Sequence, residues 1–147
     1  MQLQDPNLHL KLQEMCDCYL ETDFMAQLRS MTAGPSADLP EDALKYLSLA
    51  IMAGVTDKAE KLKLKNKAGS IGASLVVQGE KVLLPPPSAE LFGAIIDLVR
   101  AILHFEAKGG KTPLSLGLRN SELELQVKLK QEEGKTALTI GFPDLGE

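Results

Sequence analysis

The run KAEKLKLKNK, residues 58–67, puts five lysines into ten positions. As a helix it would place lysines nearly all round, and like charges three or four residues apart repel. As a strand, Leu62 and Leu64 point one way while Lys61, Lys63, Lys65 and Lys67 point the other. The period-two reading fits, so residues 61–67 are expected to be a strand with one apolar and one charged face. A short helical turn capped near Asp57 should precede it.

The rest of the chain is read outward from that strand. Residues 73–78 are rich in β-branched side chains, a turn is expected at Gly79-Glu80, and residues 81–84 return. The prolines at 85–87 cannot continue a central strand, because proline donates no ladder hydrogen bond. Ser88 should cap a helix to about Phe105, with only Glu90, Asp97, Arg100 and His104 interrupting its apolar surface. That narrow polar stripe marks it as the expected central, most buried helix, stopped at Gly109-Gly110. Residues 114–118, 122–130 and 138–142 alternate and read as an antiparallel meander.

Before the lysine run, Asp5-Pro6 opens a stripe of Leu8, Leu12, Cys16, Leu20, Phe24 and Leu28, giving a long helix over 6–32. A second start at Thr22-Asp23 would break it. Pro40-Glu41-Asp42 opens another helix, whose stripe is Leu44, Leu47, Ile51 and Val55. The expectation is an α+β fold: a largely antiparallel sheet of five or six strands, β-β-β-α-β-β-β, with one central helix and two N-terminal helices. The 147 residues suit a single domain, 1–147, with a helical segment 1–57 and a sheet-plus-helix core 58–147. In size, acidity and helix-strands-helix-strands order, the chain resembles the small dimeric chaperones of bacterial secretion systems. Those finish on a helix, whereas this chain finishes on a strand.

Composition narrows function. The net charge is −4, which disfavours non-specific nucleic-acid binding. It is unevenly spread: residues 1–42 carry eight acids against Lys11 and Arg29, and residues 43–85 carry seven lysines against three acids. These segments can neutralise each other within one chain or across a dimer. No apolar run reaches the roughly 20 residues of a membrane span, and no signal core precedes the first helix. Cys16 and Cys18 are the only cysteines, and a helix holds them too far apart in angle to bond each other. A reducing, cytoplasmic setting is expected.

Candidate sites are few. The lysines of 61–67 are expected to form a solvated face, either pairing with Glu122 and Glu124 on a neighbouring strand or guarding a sheet edge. Should they instead converge on a concave, unneutralised surface, anion recognition replaces that reading. Glu14, Asp17 and Glu21 share a helix face and could meet those lysines. Asp97, Arg100 and His104 share a stripe that could serve as the polar contact of a pocket between helix 88–105 and the sheet. They usually satisfy one another at such spacing, and no nucleophile is marked beside them. Gly69-Ser-Ile-Gly72 lacks the ending of a phosphate loop and reads as a turn. No catalytic motif, metal-ligand spacing or cofactor signature is present. The reading is a non-catalytic interaction or adaptor protein, expected as a homodimer because a long helix bearing Met15, Tyr19 and Met25 shows more apolar surface than one sheet covers. A small-molecule or peptide binder is the alternative, and an enzyme comes third.

Overall fold

The computed structural model describes residues 8–18, 23–34, 38–105, 109–118 and 121–143. Among these residues the chain forms four helices and one six-stranded antiparallel sheet, an α+β fold. The elements are α1 (Leu8–Cys18), α2 (Phe24–Thr32), α3 (Leu39–Thr56), β1 (Lys61–Lys67), β2 (Ser70–Val77), β3 (Glu80–Leu83), α4 (Ala89–Leu103), β4 (Gly109–Leu118), β5 (Ser121–Glu132) and β6 (Lys135–Gly141).

Local chemistry explains most boundaries. Asp23 is extended and accepts a hydrogen bond from the Ala26 amide at 3.1 Å, so α2 starts there and the single helix read over 6–32 is not continuous. Asp38 does the same for Glu41, and Ser88 for Leu91. Asp5-Pro6 lies outside the described residues. Asp57 ends α3 rather than capping a new turn: Lys58 takes a left-handed conformation and the Ala59 amide donates to the Gly54 carbonyl. α4 likewise ends one turn before the expected glycines, because His104 adopts φ 57° as its cap. Gly109 and Gly110 are then free to begin β4.

Two hairpins use turns with positive φ at both central residues, Ala68-Gly69 and Gln78-Gly79. That geometry matches the right-handed twist of the flanking strands and favours glycine at the second position. It also moves the second turn one residue earlier than Gly79-Glu80, so β3 begins at Glu80.

The strand order is β3-β2-β1-β6-β5-β4. Two three-stranded meanders thus meet at β1 and β6, which are central. The helices cover one face. Leu62, Leu64, Leu75, Leu138, Ile140, Leu125, Val127, Leu129, Leu114 and Leu116 point into that face and are buried. Burying such side chains contributes about 1.5–3 kcal/mol each relative to exposure.

The most buried helix is α3, not α4. Eleven of the 18 residues of α3 are buried, against seven of the 15 in α4. The expected stripe of α3 omitted Ala43, Ala50, Ala53 and Gly54, small residues that let neighbours approach from several sides. Accordingly, α1, α2 and α4 all pack on α3. Cys16 is a buried core thiol, and Met15 and Met25 pack against the same cluster. Among the described residues the large apolar side chains left exposed are Leu10, Val82 and Leu83, and Tyr19 lies outside those residues.

Candidate anion-binding face

The uncovered face of the sheet is built by the alternation that buries the other one. Lys61, Lys63, Lys65 and Lys67 are all exposed on it. Residues directly opposite in a ladder point the same way, so the register identifies their neighbours. Lys63 faces Ser74 on β2 and Thr139 on β6, and Lys65 faces Gly72 and Ala137. Lys128 and Lys130 of β5 lie on the far side of Thr139 and Ala137. Lys81 of β3 and Lys111 of β4 complete the face.

Both bland explanations of the lysine run therefore fail. β1 is a central strand, so its lysines guard no edge. β6 separates β1 from β5, and Glu122 and Glu124 lie on β5 beyond the last residue that pairs with β6. The expected cross-strand Lys–Glu contacts cannot form. In their place, Lys67 stands directly opposite Lys135, and Lys111 directly opposite Lys128. Like charges at such positions destabilise a sheet. Along the described strands this face carries nine lysines (61, 63, 65, 67, 81, 111, 128, 130 and 135) against Glu122, Glu124 and Glu132. Glu132 is already engaged: its carboxylate is 3.0 Å from the Lys130 ammonium. The hydrogen bond from Lys130, followed by the charges of Lys130 and Lys135, holds its pKa below the usual carboxylate range.

The face is concave over β1, β2 and β3. A trough of about 490 Å³ runs there, with Lys63, Lys65 and Lys67 along one wall and Lys81 and Leu83 along the other. Its floor is β2, where Ser70, Gly72 and Ser74 present small side chains or none. No carboxylate lines it among the described residues, and none lies within ion-pair reach of Lys63, Lys65, Lys67 or Lys81 there. This is the convergent, unneutralised arrangement that the passive reading of the charge does not allow.

The other candidate residues are dispersed. Asp97 and Arg100 do meet, with Nη1 to Oδ1 at 3.8 Å on one helix. They border a surface depression of about 250 Å³ with Asn66, Phe92, Ile96, Gln131 and Thr136. His104 does not line it; the residue is exposed and serves as the α4 cap. Deeper between α4 and the sheet, Leu12, Leu47, Ile51, Val99 and Ile140 converge on a gap of about 10 Å³. That is at the lower limit for one water molecule.

Glu14 is exposed on α1, while the side chain of Asp17 and all of Glu21 lie outside the described residues. α1 packs on the covered side of the sheet near β4, so it does not meet the β1 lysines of its own chain. It has another task. His9 Nε2 donates to the Ser115 carbonyl at 2.6 Å, and the Gly117 amide donates to Gln13 Oε1 at 2.6 Å. Two side chains one helical turn apart thus occupy backbone groups of edge strand β4. Among the described residues no group of three His, Cys, Asp or Glu side chains is placed to hold a metal, and no helix is long and apolar enough to cross a membrane.

The residues missed from the sequence are Lys81, Lys111, Lys128, Lys130 and Lys135 as partners of the first lysine run, and the small floor of β2. Alternation placed each on a strand face, but only the strand order brings them together. No protein-family model matches the chain, and no curated protein matches it either.

Proposed function

We propose that this protein is a non-catalytic interaction domain that holds an acidic partner on the lysine face of its sheet. The observation that carries the reading is the pairing of lysine with lysine across β1/β6 and β4/β5 beside an acid-free trough. A fold that served only itself would gain by replacing one member of each pair with an acid. An anionic partner relieves the repulsion, and its attraction would be steered by the same field. The setting is cytoplasmic, since Cys16 and Cys18 are the only cysteines of the sequence and a helix holds them too far apart in angle to bond each other. Nucleic acid is disfavoured because among the described residues no aromatic side chain stands on the open face to stack a base, and the whole chain is acidic.

The test is a titration with fluorescein-labelled polyglutamate followed by anisotropy across a salt series. Binding should weaken steadily with salt and vanish in a Lys63→Glu/Lys65→Glu/Lys67→Glu variant. Salt-independent binding, or an unchanged affinity in that variant, removes the reading. A second copy is one acidic partner on offer, because residues 1–42 carry most of the excess acid. A two-chain mass in sedimentation at low salt, falling to one chain at high salt, would assign it.

A second reading concerns the depression beside α4. Asp97 and Arg100 lie there with Asn66, Gln131 and Thr136, a polar rim over Phe92 and Ile96 that suits a small molecule. Retained ligand binding after Arg100→Ala would remove it.

A further inference from the structure

We infer that the segment held in the trough is an extended acidic stretch of another polypeptide, with acids at alternate positions, lying along β2. The inference rests on the reading of the lysine face as a partner surface and adds the shape of what binds. Lys63, Lys65 and Lys67 project from alternate residues of one strand. Successive lysines are therefore about 6.6–6.8 Å apart. An extended peptide repeats its same-side side chains at that interval, so each acid meets a lysine without accumulated mismatch. A helix advances about 5.4 Å per turn. Over the two intervals from Lys63 to Lys67, a helical partner would drift by about 2.6 Å, about two-fifths of a lysine spacing.

The floor points the same way. Ser70, Gly72 and Ser74 keep β2 low, and a Cβ built on Gly72 would meet nothing within 4 Å. The trough is thus open to the depth at which a main chain could lie on the sheet. The opposite rim adds Leu83, which is 68% exposed, beside Lys81. That asymmetry favours a segment whose acids face β1 and which carries an apolar residue toward β3. A second copy of this chain fits less well. The described acids of its first 42 residues lie in helices or at their caps, Glu14 and Asp17 in α1, Asp23 and Asp38 as N-caps, and Glu41 and Asp42 in the first turn of α3, so they form no extended alternating run.

The probe is a fluorescein-labelled peptide of about seven residues, alternating Asp and Ser with one Leu. A peptide of the same composition with its acids grouped is the comparator, and inorganic polyphosphate and an oligothymidylate strand are run beside them. The alternating peptide should bind about tenfold more tightly than the grouped one. Gly72→Leu should weaken it by about tenfold, with an unchanged or higher melting temperature, because it fills the floor without removing a lysine. Ser70→Leu, at the mouth of the trough, provides the same test should Gly72→Leu fail to fold. Equal binding of both peptides, or full affinity with the floor filled, overturns the extended segment while leaving the acidic-partner reading intact. Tighter binding of polyphosphate or the DNA strand than of either peptide overturns the polypeptide assignment. Absence of binding by every acidic probe removes this inference and the reading it rests on.

Discussion

Lys67→Glu should make the protein more stable and a poorer binder. Lys67 is exposed at the end of β1, and its directly opposed residue on β6 is the half-buried Lys135. Reversal of one charge turns a repulsive cross-strand pair into an attractive one. Cross-strand pairs contribute about 0.2–1 kcal/mol. Exposed ion pairs sit at the low end of such ranges. Removing one repulsion and adding one attraction should together contribute about 0.5–1 kcal/mol. For a chain of this length that is a rise of about 1–4 °C in melting temperature. Glu132 stands one strand further away and is already held by Lys130, so new repulsion from it is small. The same reversal removes an attraction to an acidic partner and adds a repulsion. That loses about 1–2 kcal/mol of binding, roughly fivefold to thirtyfold. The assay pairs thermal melts at low salt and at 1 M NaCl with an anisotropy titration of an acidic peptide. Both effects should shrink in high salt, where screening acts over about 3 Å. A less stable variant, a gain that persists undiminished at 1 M NaCl, or unchanged binding would refute the reasoning.

Three further outcomes follow from the fold. Gly54 lies in α3 under the ring of Phe142, which a Cβ would overlap; Gly54→Ala therefore sets about 1–3 kcal/mol of overpacking against about 1 kcal/mol of helix preference, and urea melts should show net destabilisation that disappears in a Phe142→Leu background. Tyr46 is buried, its hydroxyl donates to the Pro85 carbonyl at 2.6 Å, and burial pushes its pKa up. Tyr46→Phe should cost about 1 kcal/mol near neutral pH. The raised pKa means the native state keeps a proton that the unfolded chain releases above about pH 10, so wild-type stability falls as pH rises past that point while Tyr46→Phe is spared. The gap between the two proteins should therefore narrow in urea melts between pH 8 and pH 11. Gln13→Ala frees the Gly117 amide on edge strand β4, and hydrogen exchange at that amide should accelerate, with a stability loss of about 0.5–1 kcal/mol.

What could be read from the sequence was local. Alternation in KLKLKNK and in residues 122–130 assigned strands and their wet sides, because a side-chain period of two is set by each strand alone. Capping chemistry at Asp23 and Ser88 was legible for the same reason. The site was not legible, because it depends on which strands are neighbours. The same lysines read as neutralised beside Glu122 and Glu124, and as a cluster without those acids once β6 lies between them. The burial of α3 was missed because alanine and glycine give a weak apolar signal while permitting the closest packing. The lysine-walled trough likewise depends on small residues of β2, whose importance is the space they leave.

The central claim is most directly tested by mapping backbone amide shifts in a ¹⁵N-labelled sample titrated with the alternating acidic peptide. Shifts confined to β1, β2 and β3, with Lys63, Lys65, Gly72, Ser74 and Lys81 among the largest, are the predicted result. Shifts centred on Asp97 and Arg100 of α4, or none on the lysine face at saturating peptide, would contradict it.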